Sequence, residues 1–172
     1  LGEIVFRATG QDPGLFAQQN LFEPLNIEAD WWRDSVETGQ ADGNYLTYCC
    51  LDSTARDFAK FGYMLLLGGI ETPEGQSYAS YVSTILAQDE TYRNQFWAYC
   101  DSEPFSASPD CENVLVMTIG FDGQYILVDQ KNDIVLVRTS LYEPILNFSD
   151  ERKMRLNPLL ISESNWLASL PM

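Results

Sequence analysis

The residues that could do chemistry in this 172-residue chain are best sorted by what they exclude, and there is no histidine. A Ser-His-Asp or Cys-His nucleophile system therefore cannot be completed from these residues. No Gly-x-Ser-x-Gly elbow and no glycine-rich phosphate loop occurs. One serine mechanism works without histidine: a lysine one helical turn later takes the serine proton, Ser-x-x-Lys. The lysines are Lys60, Lys131 and Lys153, and three residues before them stand Asp57, Val128 and Asp150, so the motif is absent from this chain. A Tyr-x-Asn match, Tyr92-Arg93-Asn94, is too short to separate from chance. Carboxyl groups are abundant along the whole chain, so no pair stands out as an acid and a base.

The four cysteines are the other reactive groups, at 49, 50, 100 and 111. Without histidine and without a Cys-x-x-Cys pair, no zinc site of the usual kind is expected, and no metal or cofactor is implied. The segment "CDSEPFSASPDC" sets Cys100 and Cys111 across a polar, proline-bearing loop. A disulfide there would contribute ~2–3 kcal/mol in an oxidising compartment, the alternative being two thiols. Cys49 and Cys50 are adjacent, and the eight-membered ring of a bond between neighbours is disfavoured. They read instead as small buried hydrophobes, or as one cysteine paired elsewhere.

The chain is 45% hydrophobic and 13% aromatic, which indicates a folded domain with a sizeable core. Its net charge is -15, and its ten Lys and Arg are scattered, which argues against nucleic acid and anionic membranes as partners. No apolar run approaches the ~18–20 residues of a membrane-spanning helix.

The elements that would position any site follow from periodicity. "LGEIVFRATG" has the spacing of a helix ending at Gly10, and because it opens in mid-pattern, further residues are expected upstream of Leu1. Asp12 and Pro13 start a second helix that Pro24 is expected to stop. Residues 24–50 read mostly as loop. In "TARDFAKFGYMLLLGG" Thr54 and Asp57 fit a capping box, with a reciprocal pair of bonds to backbone N–H groups. Phe58, Ala59, Phe61, Gly62, Leu65 and Leu66 form one apolar stripe, and Gly68-Gly69 ends the helix. "SYASYVSTILAQ" is a weaker helix. From about residue 95 the period changes to two, giving strands "NVLVMTIG", "GQYILVDQ" and "DIVLVRTS", the last two joined as an antiparallel hairpin by "QKND". Closing helices are expected over 141–172. The layout is α+β, an antiparallel sheet flanked by helices: 1–94 mostly helix and loop, 95–140 strands, 141–172 helix.

"LFEPLNIEADWW", "TARDFAKFGYMLLLGG", "NQFWAY" and "TIGFDGQYILVDQKNDIVLVRTS", in that order, resemble the C-terminal half of the β-lactamase-like serine hydrolases. The nearest branch is that of class C β-lactamases, esterases and 6-aminohexanoate-dimer hydrolases. The resemblance runs over residues 1 to about 140. It implies a β-lactamase/transpeptidase-like fold whose Ser-x-x-Lys and Tyr-x-Asn boxes lie upstream of this chain. It also implies a periplasmic or secreted protein and a small amide or ester substrate, with an N-terminal segment of the same protein completing the sheet. The family's Lys-Thr-Gly box corresponds to Thr118-Ile119-Gly120, and its lost lysine points away from β-lactams.

By the same resemblance the backbone N–H of Phe121 is one donor of an oxyanion hole, worth about 3–4 kcal/mol of barrier. Gly120 would let substrate approach the strand, although a turn glycine reads as well. Trp97 falls where relatives place an aromatic beside substrate, with core packing as the alternative. Tyr45 and Tyr48 are rim candidates, and Asp122 either caps the turn or reaches substrate. The capped helix is expected to support this chemistry, with neither Arg56 nor Asp57 a catalyst. A non-catalytic relative that binds a partner or peptide through its cleft or sheet edge is the alternative.

Overall fold

The computed structural model describes residues 1–34, 43–69, 78–86, 92–100, 111–120 and 123–139. The chain divides into two compact units, residues 1–60 and 61–172, with the boundary inside one helix. Helices and antiparallel strands are both present, so the α+β class holds. The closing helices expected over 141–172 lie outside the described residues.

In the first unit, α1 (Gly2–Thr9) ends where the sequence places its cap, at Gly10 with φ 71°, whose N–H donates to Phe6 O at 2.8 Å. Asp12 caps α2 (Pro13–Ala17): its Oδ1 accepts from the N–H groups of Gly14 and Leu15 at 3.0 and 3.2 Å. Pro24 does not stop this helix. The backbone widens into a π-helical stretch at Gln18–Phe22 and resumes as α3 (Glu23–Leu25), ending at Asn26 with φ 51°. The wide turn leaves Pro24 in the setting of a first helical turn, where a missing N–H is tolerated. Asn20 helps the transition, its Nδ2 donating to Phe16 O at 2.8 Å.

The segment read as loop contains a strand. β1 (Ala29–Trp31) pairs antiparallel with β2 (Leu51–Ser53), in register Ala29↔Ser53 to Trp31↔Leu51. An isolated bridge, Arg33↔Tyr45, brings a third stretch alongside. Both strands are only three residues long, too short to show a period.

α4 (Ala55–Leu66) begins at Thr54, whose O accepts from Phe58 N–H and whose Oγ1 accepts from Asp57 N–H, at 3.0 and 3.1 Å. The other half of the expected capping box is replaced. The Asp57 carboxyl takes the Thr54 hydroxyl at 2.6 Å and Lys60 Nζ at 2.5 Å, with a further bond from the Glu28 backbone. Lys60 Nζ also donates to Asn26 O. Asp57 and Lys60 therefore tie the start of α4 to the turn after α3.

Lys60, then Thr54, hold the Asp57 pKa below its ordinary 3.8, against the opposing effect of burial. A depressed carboxyl pKa stabilises the fold above the unfolded-state value, and that contribution disappears as pH falls through the lowered pKa. The expected outcome is that Asp57→Asn is less stable than the parent at pH 7. The gap in urea midpoint should close as the pH drops below about 4. A gap unchanged at pH 3 would show that the carboxyl contributes by shape alone.

In the second unit α4 ends in a Schellman cap: Gly69 N–H donates to Met64 O at 2.9 Å and Gly68 N–H to Leu65 O at 3.0 Å, both glycines having positive φ. α5 (Ala79–Leu86) buries Val82 and Ile85. A five-stranded antiparallel sheet follows in sequence order, β3 (Tyr92–Arg93), β4 (Phe96–Cys100), β5 (Val114–Ile119), β6 (Tyr125–Asp129) and β7 (Ile134–Arg138). The β6–β7 hairpin and the three long runs stand where the sequence puts them. β3 and β4 are additions, and the sheet begins at Tyr92 instead of residue 95.

Residues of both sheet faces are buried. On one, Tyr99, Leu115, Met117, Tyr125 and Leu127 form a cluster. On the other, Gly62 of α4 lies so close to Ile126 and Val135 that an added Cβ would stand 2.9 and 2.5 Å from their methyl carbons. A disulfide joins Cys100 at the end of β4 to Cys111 ahead of β5, with Cα atoms 5.7 Å apart.

The β3–β4 turn is two residues, Asn94 and Gln95, with φ 51° and 70°. Positive φ at both is the geometry of a type I′ hairpin turn, which favours Asn-Gly. Gln95 carries a side chain where glycine fits better, so Gln95→Gly is expected to raise stability by about 0.5–1 kcal/mol. In a thermal melt that is a rise of roughly 1–4 °C; an unchanged or lower Tm would contradict the turn assignment.

Candidate functional site

The strand-end locus is built from β5 and its neighbours. Ile119 closes β5 opposite Tyr125, and one residue on, Gly120 N–H donates to Gln124 O at 2.7 Å. Gly120 is exposed, and a Cβ there would lie 2.9 Å from Gln124 Cβ. Its smallness allows this close approach in the turn into β6. Phe121 and Asp122 lie outside the described residues.

Trp97 stands opposite Met117 in the β4–β5 register, so it and Gly120 share the same end of the sheet on adjacent strands. Its half-buried ring stacks parallel to Tyr99, centroids 6.1 Å apart, and tilts against Tyr92 at 4.7 Å. It packs against the core cluster of this face. Trp97 is thus the middle member of a row of three aromatic rings, between exposed Tyr92 and buried Tyr99. Tyr99 is not singled out in the sequence, and Tyr92 only as part of a Tyr-x-Asn match. The signal that could have found them is the period-two pair Trp97 and Tyr99, with Tyr92 across a two-residue turn.

Tyr45 and Tyr48 belong to the first unit. Tyr45 lies on α2, where an added Cβ at Gly14 would be 2.2 Å from its ring. The Arg33 guanidinium sits 4.0 Å from the centre of that ring and donates to the Tyr45 hydroxyl at 2.6 Å. Trp31 tilts against Tyr45 at 5.7 Å, its indole N–H shared between Leu46 O and Cys49 O, each at 3.1 Å. These side chains wall an open groove of about 800 Å³, with Asp12, Asp30 and Trp32 also on its lining. Tyr48 does not line this groove; it is 81% exposed on the turn beyond it.

The reading of Cys49 and Cys50 is overturned. They are bonded to each other, Cys49 is exposed and Cys50 half-buried. Residues 46–49 form a tight turn, with Cys49 N–H donating to Leu46 O at 2.9 Å, and Cys50 follows with φ 67°. The bond between the neighbours coincides with that left-handed backbone.

Among the described residues, no group of three or more His, Cys, Asp or Glu is placed to hold a metal ion, and no helix is long and apolar enough to cross a membrane. No protein-family model and no curated protein matches the chain.

Proposed function

We propose that this chain is the C-terminal scaffold of a serine hydrolase that cleaves small amide or ester bonds through an acyl-enzyme. The observation that supports the reading is that Gly120, just past β5, and Trp97 of β4 stand at the same end of the sheet on adjacent strands. It sits within the stretch that resembles the third box of the β-lactamase-like hydrolases. In this reading an upstream serine, its proton taken by a lysine one turn later, attacks the substrate carbonyl. The backbone N–H of Phe121 and that of the serine donate to the developing oxyanion, the amine or alcohol leaves, and water releases the acid. Trp97 offers an aromatic wall.

The upstream segment would also pair with β7, which among the described residues bonds only to β6 and whose five residues are all half-buried. Two disulfides support an oxidising, periplasmic or secreted setting.

The test is turnover by the protein carrying its natural upstream sequence. A stopped-flow trace on a p-nitrophenyl ester should show a burst of about one equivalent, the sign of an acyl-enzyme, followed by steady hydrolysis. Absence of both burst and turnover on esters and anilides would reject the hydrolase reading and favour a non-catalytic binding module.

A further inference from the structure

We propose that Cys49–Cys50 is a redox-active site, opened by dithiol reductants ahead of Cys100–Cys111, and that opening it loosens the Trp31 wall of the first unit's groove. The inference is independent of the hydrolase reading. Access separates the two disulfides. Cys49 is exposed on a turn and Cys50 half-buried, whereas Cys100 is 1% exposed at the end of a sheet strand and its partner Cys111 is half-buried, so the first bridge alone offers an exposed cysteine. Thiol–disulfide exchange needs a thiolate to reach a sulfur along the S–S axis, and exposed bridges are the labile ones.

The chemistry balances as a two-electron exchange. One thiolate of the dithiol attacks Cys49 Sγ, the S–S bond breaks, and Cys50 leaves as a thiolate that takes up a proton. The second thiol of the reductant, losing its own proton, then displaces Cys49 from the mixed disulfide. Cys49 and Cys50 end as two thiols and the reductant as a disulfide.

What makes the pair more than an exposed bridge is what its backbone holds. Cys49 O accepts from the Trp31 indole N–H, and Cys50 O accepts from Trp32 N–H at 2.9 Å. Both rings line the groove, and Trp31 packs on Tyr45. Cys50 holds φ 67°, a conformation that a residue with a side chain leaves readily once nothing requires it. Reduction removes the requirement. As Cys50 relaxes, the two carbonyls turn and both tryptophans lose an acceptor, so the redox state of the pair is read out in the groove.

The experiment uses the whole chain in stepped dithiothreitol. Each step is quenched with iodoacetamide for peptide mapping, and parallel samples go to hydrogen exchange. Cys49 and Cys50 should become alkylated at about ten-fold lower reductant than Cys100 and Cys111. Exchange in the peptide covering 29–34 should rise in step and fall again when oxidised glutathione restores the bond. A Cys49→Ser/Cys50→Ser double variant should show the fast exchange without reductant. Reduction of both disulfides together, of Cys100–Cys111 first, or of Cys49–Cys50 with exchange at 29–34 unchanged would each overturn the proposal.

Discussion

Replacing Asp129 with alanine is expected to lower stability by about 2–4 kcal/mol. Asp129 is the last residue of β6 and has no exposed surface. Its Oδ1 accepts from Asn113 Nδ2 at 3.1 Å and from Asn132 N–H at 3.2 Å, and its Oδ2 accepts from Asn132 Nδ2 at 2.9 Å. One carboxyl thus pins the turn into β7, where Asp133 holds φ 56°, and fixes the entry to β5. Alanine would remove the acceptor of the Asn113 side chain, itself 3% exposed, and release the Asn132 donors to solvent. For a chain of this size the loss corresponds to roughly 4–16 °C in Tm. Asp129→Asn is the control: it keeps one acceptor oxygen and should recover part of the loss. Equal Tm values for the alanine variant and the parent would show that the network contributes nothing.

The second large effect is at Gly62. Alanine normally favours a helix over glycine by about 1 kcal/mol, so a naive expectation is stabilisation. The geometry reverses the sign. A Cβ would sit 2.5 Å from Val135 Cγ1 and 2.9 Å from Ile126 Cγ2. Both neighbours are β-branched and held in strands, with little rotamer freedom to withdraw. Overpacking of this kind costs about 1–3 kcal/mol, so the net expectation is a loss of about 1–2 kcal/mol. Gly62→Val should be worse, and Val135→Ala should cost less in the Gly62→Ala background than in the parent, a coupling that a double-mutant cycle measures. Additive effects would place α4 farther from the sheet.

How much of this could be read from the sequence follows the kind of signal each feature leaves. The caps at Gly10, Asp12 and Gly68-Gly69 and the Thr54 start of α4 are written in residue types with one strong local use. The β6–β7 hairpin is legible because "QKND" is a polar break between two Val- and Ile-rich runs. β4 is buried on both faces, so "FWAYC" shows no alternation to separate it from core of any other kind. The turn before it uses Asn94-Gln95, and glutamine hides the hairpin that glycine would have announced. Pro24 misled because the rule that proline stops a helix assumes an α-helical turn, and the π stretch removes that premise.

The site divides in the same way. Gly120 and Trp97 can be picked out by resemblance, but their surroundings cannot. Gly120 owes its size to Gln124 across a turn, and Trp97 its place to Tyr99 and Tyr92. Tyr45 was a rim candidate without a partner. Its contacts with Arg33 and Gly14 come from segments 12 and 31 residues away in the sequence, beyond the reach of any local pattern. The Cys49–Cys50 bond was missed because the geometric rule against neighbours assumes ordinary backbone, and Cys50 does not adopt it.

The most direct test of the hydrolase account is covalent. The protein with its natural upstream sequence would be incubated with a fluorophosphonate probe, digested and mapped by mass spectrometry. The account predicts one labelled serine, upstream of Leu1, followed three residues later by lysine, with labelling lost when that lysine is replaced. Labelling absent altogether, or found on a serine within residues 1–172, would contradict it.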